Sequence, residues 1–279
     1  MGKYTNMNKL IIPFLSIMSL FVVACNDDDN KSEPITPFSL EKNYYETRLE
    51  RGVTSISITN GSGDISLAIE DEEILNAIYS KYNDKEDSRK GHINLYGLQK
   101  GATTLTITDN ITKDVETVEV KVTDSYLAYV IADSNHPALK VNTVLFFINN
   151  PEKEHYVFAK DNIHGKLYEQ PIAKGSYEFF VTPSDNATSQ FYVIPCLHLN
   201  ITDNDATTAS YDFQIKPTSE YVLNTIQTYL GVEWDKLIDE VQTKSPASID
   251  MSMTLIIPDT DYQIIGALSN APIPEHILD

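Results

Sequence analysis

The sequence predicts a mainly β protein, in which a β-sandwich is followed by a larger β-rich domain that carries a short helical hairpin. Residues 53–122 contain short segments in which apolar side chains alternate with hydroxyl or charged ones, the pattern of strands with one buried face. Residues 126–257 contain short runs rich in aromatic and β-branched side chains, which favour strands. Turn residues separate the segments. We therefore expect domains over 38–124 and 125–279.

The strands of the first domain follow from period-two alternation. Threonine, serine and acidic side chains alternate there with isoleucine, leucine and valine, and glycine or asparagine lies between the segments. The segments are 53–59, 64–69, 91–97, 103–108 and 115–122. One stretch differs, because Ile74, Leu75, Ile78 and Tyr82 have a helical spacing. It predicts a short helical or irregular insertion over residues 72–82.

A family resemblance supports this domain. Residues 97–109 read Gly-Leu, a two-residue gap, a Gly, and then threonine-rich alternation. This resembles the late-strand signature of bacterial immunoglobulin-like domains of the second group. The turn at 60–63 and the strand after it are similar to versions found in surface lipoproteins. The resemblance covers about a third of the chain. It implies an immunoglobulin-like sandwich over 38–124 and says almost nothing about chemistry.

The second domain combines strand-like runs with one helical interruption. Short aromatic and β-branched runs predict strands at 126–131, 141–148, 156–158, 176–181, 191–201, 211–215 and 252–257. Apolar spacing predicts helices near 219–230 and 233–243. Ser219 or Thr218 can cap the first helix, and Gly231 follows it as a C′ glycine. A turn this short predicts a helical hairpin packed on one sheet.

The N-terminus has the features of a signal peptide. Lys3 and Lys9 provide positive charge, and residues 10–23 form an apolar run too short to span a bilayer comfortably. The run ends in Val-Val-Ala-Cys at Cys25, which resembles the lipobox of bacterial lipoproteins. The resemblance implies that residues 1–24 are removed and that Cys25 is lipidated with palmitate-type chains. Two or more chains would make such an anchor stable.

Residues 25–37 predict an acidic, flexible tether, because a polar stretch containing proline cannot form a core. The acidic triplet at 27–29 also resembles the signal that exports lipoproteins to the outer face of the outer membrane in some Gram-negative lineages. We therefore expect a lipid-anchored protein of the outer membrane, exposed at the cell surface. The alternative is a solvated spacer without a sorting role on a protein that faces the periplasm.

Charge and composition exclude some partners. The 279-residue chain has a formal net charge of −19, and removal of residues 1–24 leaves 19 basic and 40 acidic side chains, a net charge of −21. Such a chain offers no basic patch to phosphates, so we expect no nucleic-acid partner. The histidines lack metal-ligand spacing. The acids at 203–205 and 259–261 fit turns better than calcium loops. We expect no metal and no cofactor.

No residue is predicted to be catalytic. Cys196 lies in an apolar strand-like run and is interpreted as a small buried hydrophobic residue. His198 would share its strand face, but no third group that could orient a Cys–His pair is evident. The sequence has no Gly-x-Ser-x-Gly elbow and no phosphate-binding glycine loop. Carboxylate pairs of the glycosidase type depend on spacing in three dimensions.

Aromatic side chains are the weak ligand-binding candidates: Tyr168, Tyr211, Trp234 and Tyr262. Tyrosine can stack on a sugar or anchor an interface, but β proteins also bury tyrosines with a hydrated hydroxyl. We expect a non-catalytic surface lipoprotein with a spacer and a C-terminal domain that binds a glycan or a protein. A hydrolase with a carboxylate pair in the C-terminal domain and a structural subunit of a surface assembly are the alternatives.

Overall fold

Seven strands of the N-terminal half form two sheets that share one core. The structure is a computed structural model that describes residues 35–50, 52–82, 89–161, 163–184, 193–234 and 250–278. The strands are β1 (Tyr44–Arg48), β2 (Thr54–Thr59), β3 (Ile65–Ile69), β4 (Leu75–Lys81), β5 (Arg89–Gly97), β6 (Gly101–Asp109) and β7 (Val115–Thr123). One sheet has the order β1-β7-β6-β3 and the other β2-β5-β4.

This strand order is that of an immunoglobulin-like sandwich. Strands β2, β5 and β4 hold the positions of B, E and D, and β3, β6 and β7 hold those of C, F and G. The first strand runs parallel to β7 at the sheet edge. Strand β6 alternates as the sequence predicts, since Leu105 and Ile107 are fully buried while Thr104, Thr106 and Thr108 are half-exposed. Each such apolar side chain contributes about 1.5–3 kcal/mol on burial.

Two elements of the sandwich differ from the prediction. The helical interpretation of residues 72–82 is wrong, because β4 spans Leu75–Lys81 and pairs with β5. Its spacing of two buries Leu75 and half-buries Ala77 and Tyr79, so pairing with β5 overrides the helical spacing of the apolar residues. Strand β1, Tyr44–Arg48, was not predicted, because its charged and aromatic residues show no apolar alternation.

The C-terminal half forms a closed antiparallel barrel of eight strands. The strands are β8 (Tyr126–Ser134), β9 (Thr143–Ile148), β10 (Glu154–Ala159), β11 (Ala173–Pro183), β12 (Val193–Asp203), β13 (Thr208–Pro217), β14 (Ser252–Ile256) and β15 (Gln263–Ser269). Their order around the barrel is β10-β11-β12-β13-β14-β15-β8-β9, and β9 pairs with β10. The sequence predicts all of these strands except β15.

The barrel core is apolar, and one helix contributes side chains to it. Leu127, Tyr129 and Ile131 of β8 belong to the same core cluster as Val222 and Ile226 of α1 (Glu220–Leu230). The first predicted helix is thus confirmed, but it contributes to the barrel core rather than lying on one face of an open sheet. Gly231 ends it in a left-handed conformation, and its N–H bonds to the carbonyl of Gln227.

The second predicted helix, near 233–243, lies outside the described residues from residue 235 onward. Within the described ranges, no helix is long and apolar enough to cross a membrane.

Pairing of β15 with β8 closes the barrel. Tyr129 lies across this seam, and its hydroxyl donates to the carbonyls of Met253 at 2.9 Å and Ile264 at 3.1 Å. Gly266 lies beside the Tyr129 ring, at a register shift in the β15–β8 ladder. A Cβ atom on Gly266 would lie 2.4 Å from the carbonyl oxygen of Val130. Only glycine therefore permits this approach of the two strands.

A C-terminal strap, residues 270–278, joins the barrel to the sandwich within the compact unit of residues 35–279. Ile273 is buried against the outer barrel wall, and its N–H donates to the Tyr126 hydroxyl at 3.1 Å. Further along, the N–H of His276 donates to the carboxylate of Glu46 on β1 at 2.9 Å. The strap thus fixes the barrel wall against the edge strand of the sandwich.

Charged contacts complete this junction. Lys42 forms an ion pair with Glu275 of the strap. The guanidinium of Arg48 donates to the carbonyl of Tyr126 at 3.2 Å and lies 4.6 Å from the centre of the Tyr126 ring. A cation over a tyrosine face gains electrostatic attraction beyond the hydrogen bond. These contacts set the angle between the two halves.

We predict that Gly266→Ala lowers the free energy of unfolding by about 1–3 kcal/mol, the usual range for overpacking. Urea titration followed by circular dichroism measures the change. Gly165→Ala is the control, because no atom lies within 4 Å of its added Cβ, which leaves only the strain of a positive φ. Equal stability of Gly266→Ala and the wild type would contradict this account of the seam.

Candidate ligand-binding face

The strand directions bring four connections to one end of the barrel, which we call the distal end. It is the end opposite Tyr126, the first residue of β8, because successive strands are antiparallel. The connections are 135–142 between β8 and β9, 160–172 between β10 and β11, 204–207 between β12 and β13, and 257–262 between β14 and β15.

Three of the four aromatic candidates belong to this distal end. Tyr168 and Tyr262 lie in connections there and are exposed, and Tyr211 lies near the start of β13 and is half-exposed. The structure corrects the expectation for Trp234. Its side chain is only 1 % exposed, and its indole N–H donates to the carbonyl of Leu223 at 2.9 Å. Trp234 therefore packs in the core and presents no surface to a ligand.

His136 connects two of these tyrosines. Its ring centre lies 4.5 Å from that of Tyr211 and 5.6 Å from that of Tyr262, and both rings meet it edge to face. The ring centre of Phe213 lies 5.5 Å from that of His136 and completes the cluster. Edge-to-face pairs are the favoured aromatic arrangement. We call Tyr211, Tyr262 and His136 the tyrosine face.

The protonation of His136 follows from its contacts. Its Nδ1 accepts N–H bonds from Ala138 at 3.3 Å and Leu139 at 3.2 Å, so the neutral ring carries its proton on Nε2. Nε2 has no hydrogen-bond partner among the described residues. Burial lowers the pKa of His136 to about 4, because the charged ring would lose its hydration.

Hydrogen bonds make the tyrosine face rigid. The Asn135 amide donates to the carbonyl of Asp261 at 2.7 Å, and its oxygen accepts the N–H of Gln263 at 2.8 Å. The N–H of Tyr262 donates to the Thr260 hydroxyl at 3.1 Å. Two connections are thereby tied together before any ligand arrives. A preorganised face loses less entropy on binding than a mobile one.

Tyr168 lies apart from this cluster. Its connection, between β10 and β11, is on the other side of the barrel from the connection that carries Tyr262. No ring contact joins Tyr168 to the other two tyrosines among the described residues. The structure therefore brings Tyr211 and Tyr262 together and leaves Tyr168 as a separate exposed side chain at the same end.

The acidic segments of the distal end serve as turns. Asp203 Oδ1 accepts N–H bonds from Asp205 at 3.0 Å and Thr207 at 2.9 Å, as an Asx turn requires. Across the described ranges, no group of three or more histidine, cysteine, aspartate or glutamate side chains could hold a metal ion.

Cys196 and His198 share the outer face of β12, as predicted. Burial raises the pKa of the Cys196 thiol, which disfavours the reactive thiolate. His198 instead lies 2.6 Å from a carboxylate oxygen of Asp212 through Nδ1 and 3.2 Å from the amide oxygen of Asn200 through Nε2. Its hydrogen bond to Asp212 raises the pKa of His198. This pair does not form a nucleophile and its base.

The carboxyl groups with clearly shifted pKa values do not show the pattern of a general acid. The hydrolase alternative expects two converging acids with perturbed protonation. Asp161 and Asp250 instead have pKa values lowered by backbone N–H bonds, and both are half-exposed. In the sandwich, hydrogen bonds from Ser62 and the 109–112 turn outweigh burial and lower the pKa of Asp109 to about 2.

Comparison with known proteins gives weak structural neighbours. No protein-family model matches the chain, and no curated protein matches it. Domains 4 and 5 of the S-layer protein SbsC match at 14 % identity and a TM-score of 0.27, over 32 % of this chain and 46 % of that one. The matched part thus spans less than half of that fragment.

Two further solved structures match over more of this chain. Domains 5–6 of SbsC match at 13 % identity and a TM-score of 0.27, over 65 % of this chain and 97 % of that one. A C-terminal 282-residue fragment of intimin, in complex with the intimin-binding domain of the translocated intimin receptor, matches at 10 % identity and a TM-score of 0.23, over 85 % and 100 %. These neighbours are β-rich domains of surface proteins, and at such scores they assign no family.

We predict opposite pKa shifts for two histidines. His136 should titrate near 4, and His198 should titrate above the ordinary value of 6.5. In the unfolded state the His136 ring is protonated near its ordinary pKa of 6.5, whereas in the folded state it is protonated only near pH 4. Its contribution to stability therefore falls as the pH drops from 6.5 toward 4. Ring ¹⁵N shifts measured against pH test both, with Asp212→Asn as the control that lowers only the His198 pKa. A shared value near 6.5 would contradict the assignment.

Proposed function

We propose that the chain is a non-catalytic, lipid-anchored surface protein that binds a glycan or a protein through the distal end of its barrel. The observation that carries the proposal is the tyrosine face, in which buried His136 holds Tyr211 and Tyr262 at one end of a closed barrel. Tyrosine supplies a large contact area, a hydroxyl and few rotatable bonds, which suits a binding surface.

The path of the chain supports a spacer role for the sandwich. The carbonyl of Thr36 accepts the N–H of Gly61 at 2.9 Å, and Ser62 in the same turn bonds to Asp109. The chain therefore enters the sandwich at the end where β7 begins, and it leaves at Thr123, where β7 ends. Nine extended residues of β7 span about 30 Å. The sandwich thus separates its N-terminal connection from the barrel.

The anchor belongs to the same proposal. Cys25 and residues 26–34 lie outside the described residues, and the support for lipidation is the resemblance of the N-terminus to a lipobox. We propose a signal peptide over 1–24, a tether over 25–37, a sandwich over 38–124 and a barrel domain over 125–279, with the lipid in the outer membrane and the barrel exposed to the exterior.

The structural-subunit alternative gains no support from the barrel. Strand exchange requires an exposed edge that can pair with another chain. Every described barrel strand pairs with a neighbour on both sides, so pairing of this kind would have to use the sandwich edges.

The anchor is tested by metabolic labelling. Cells supplied with radiolabelled palmitate should label the wild type and leave Cys25→Ala unlabelled, because Cys25 is the cysteine of the lipobox-like motif and the other cysteine, Cys196, is buried. External protease should digest the wild-type barrel in intact cells if the protein faces outward. Equal label in both chains would overturn the anchor, and full protection in intact cells would overturn surface exposure.

Binding is tested with the full-length acylated protein in detergent micelles on arrays of glycans and of extracellular protein domains. For any ligand found, Tyr211→Ala with Tyr262→Ala should weaken binding at least about ten-fold, because tyrosines at binding centres often contribute more than about 1–2 kcal/mol. Tyr221→Ala on α1 is the matched control, since Tyr221 is 37 % exposed and Tyr262 is 41 % exposed. The absence of any ligand, or equal loss in the control, would contradict the proposal.

A further inference from the structure

A second concave site lies between the sandwich and the outer wall of the barrel. It is a cleft of about 1150 Å³, lined by β1 of the sandwich, the strap and the connection between β10 and β11. Its volume is slightly above the range of about 300–1,000 Å³ that is usual for small-molecule sites. None of Tyr168, Tyr211 and Tyr262 lines it, so the cleft is separate from the tyrosine face.

Four cationic side chains line the cleft, although the whole chain has a net charge of −19: Lys42, Arg48, Lys160 and Lys166. The carboxylates of Glu46, Glu169 and Glu275 line it as well. Lys42 is paired with Glu275, and Arg48 donates to the carbonyl of Tyr126. The ammonium groups of Lys160 and Lys166 have no hydrogen bond or ion pair within the described part of the chain. Two cations therefore remain available to a ligand.

A tight turn holds these two lysines in place. Lys160 and Leu167 form an isolated β-bridge, and the N–H of Asp161 donates to the carbonyl of Lys166 at 2.7 Å. The N–H of Gly165 donates back to the carbonyl of Asp161 at 2.9 Å. Lys160 is half-buried, so its charge is less screened by water than that of a fully exposed lysine. The turn thus presents two cations from a fixed backbone.

An aromatic ring, that of His276, lines the same cleft as these lysines. The His276 ring stacks on Tyr44, with ring centres 4.5 Å apart and an interplanar angle of 27°. The His276 side chain is 70 % exposed, so the face turned away from Tyr44 is open. Its backbone is fixed by the N–H bond to Glu46. A flat ring held in this way offers an apolar face to a sugar.

We propose that this cleft binds an acidic oligosaccharide whose uronic-acid carboxylates pair with Lys160 and Lys166. Charge-assisted hydrogen bonds from ammonium to carboxylate are about twice as strong as neutral ones. In the same lining, Glu169 accepts hydrogen bonds from sugar hydroxyls, and Gln170 both accepts and donates them. His276 packs against a sugar ring. The site stands independently of the tyrosine face and of its ligand.

The geometry favours a sugar over an acidic peptide. An extended peptide binds most readily by adding a strand to an open sheet edge. The barrel wall of the cleft is closed, because each described barrel strand is paired on both sides. On the other wall, Glu46 of β1 and Lys42, which precedes β1, already engage the strap. What remains for a ligand is side-chain charge, hydrogen-bonding groups and one ring face.

Isothermal titration calorimetry of the full-length protein in micelles tests the site with a short oligogalacturonate. We expect binding that weakens as sodium chloride is raised, since salt screens the lysines. A neutral maltooligosaccharide of the same length should not bind. Lys160→Gln with Lys166→Gln should weaken binding roughly ten-fold or more. Lys140→Gln with Lys174→Gln is the matched control, because it removes the same charge from exposed lysines outside the cleft.

The outcomes separate the alternatives. No binding of oligogalacturonate would overturn the proposal, as would equal losses in the two lysine pairs, which would indicate a general charge effect. Equal affinity for an oligoglutamate peptide would overturn the choice of a sugar. Retention of oligogalacturonate binding by Tyr211→Ala with Tyr262→Ala would show that this site acts without the tyrosine face, whatever the result for that face.

Discussion

Pairing of β15 with β8 is the interaction on which both sites depend. Strand β15 begins beside Tyr262, where Asn135 ties its hairpin to the connection that follows β8. It ends where the strap departs for the sandwich. The seam therefore positions the tyrosine face at one end of β15 and the strap, which lines the cleft, at the other. Its centre is secured by the Tyr129 hydroxyl and by the close approach at Gly266.

The strands of the sandwich can be predicted from the sequence because each has one buried face and one face toward solvent. Leu105 and Ile107 alternate with threonines, and that pattern is local. Closure of the barrel instead depends on pairing between β8 and β15, which are far apart in the sequence. Strand β15 reads Gln-Ile-Ile-Gly-Ala-Leu-Ser, and Gly266 in its middle interrupts the apolar pattern. Without β15 the remaining strands predict a β-rich domain and nothing more definite. The helical prediction for the β4 segment was wrong for a related reason, since pairing with β5 determines its conformation.

The candidate sites show the same limit. Residue type alone identified Tyr211 and Tyr262, but their grouping depends on His136, which lies in a connection with no periodicity to mark it. Trp234 shows the converse, because an aromatic side chain near a helix end packs as readily inward as outward. Nothing in the sequence indicates that Lys160 and Lys166 belong together, because the cleft that they line is completed by the strap and by edge strand β1, which are far away in the sequence.

The two proposed sites differ in the charge around them. The connections next to Tyr211 and Tyr262 carry the turn acids Asp203, Asp205, Asp259 and Asp261, which would repel an acidic ligand. Screening limits such effects to about 8–10 Å at physiological salt. Lys160 and Lys166 therefore govern only what enters the cleft, despite the negative charge of the chain as a whole. If both proposals hold, an acidic sugar would bind beside the sandwich and an uncharged or basic partner would bind at the distal end of the barrel.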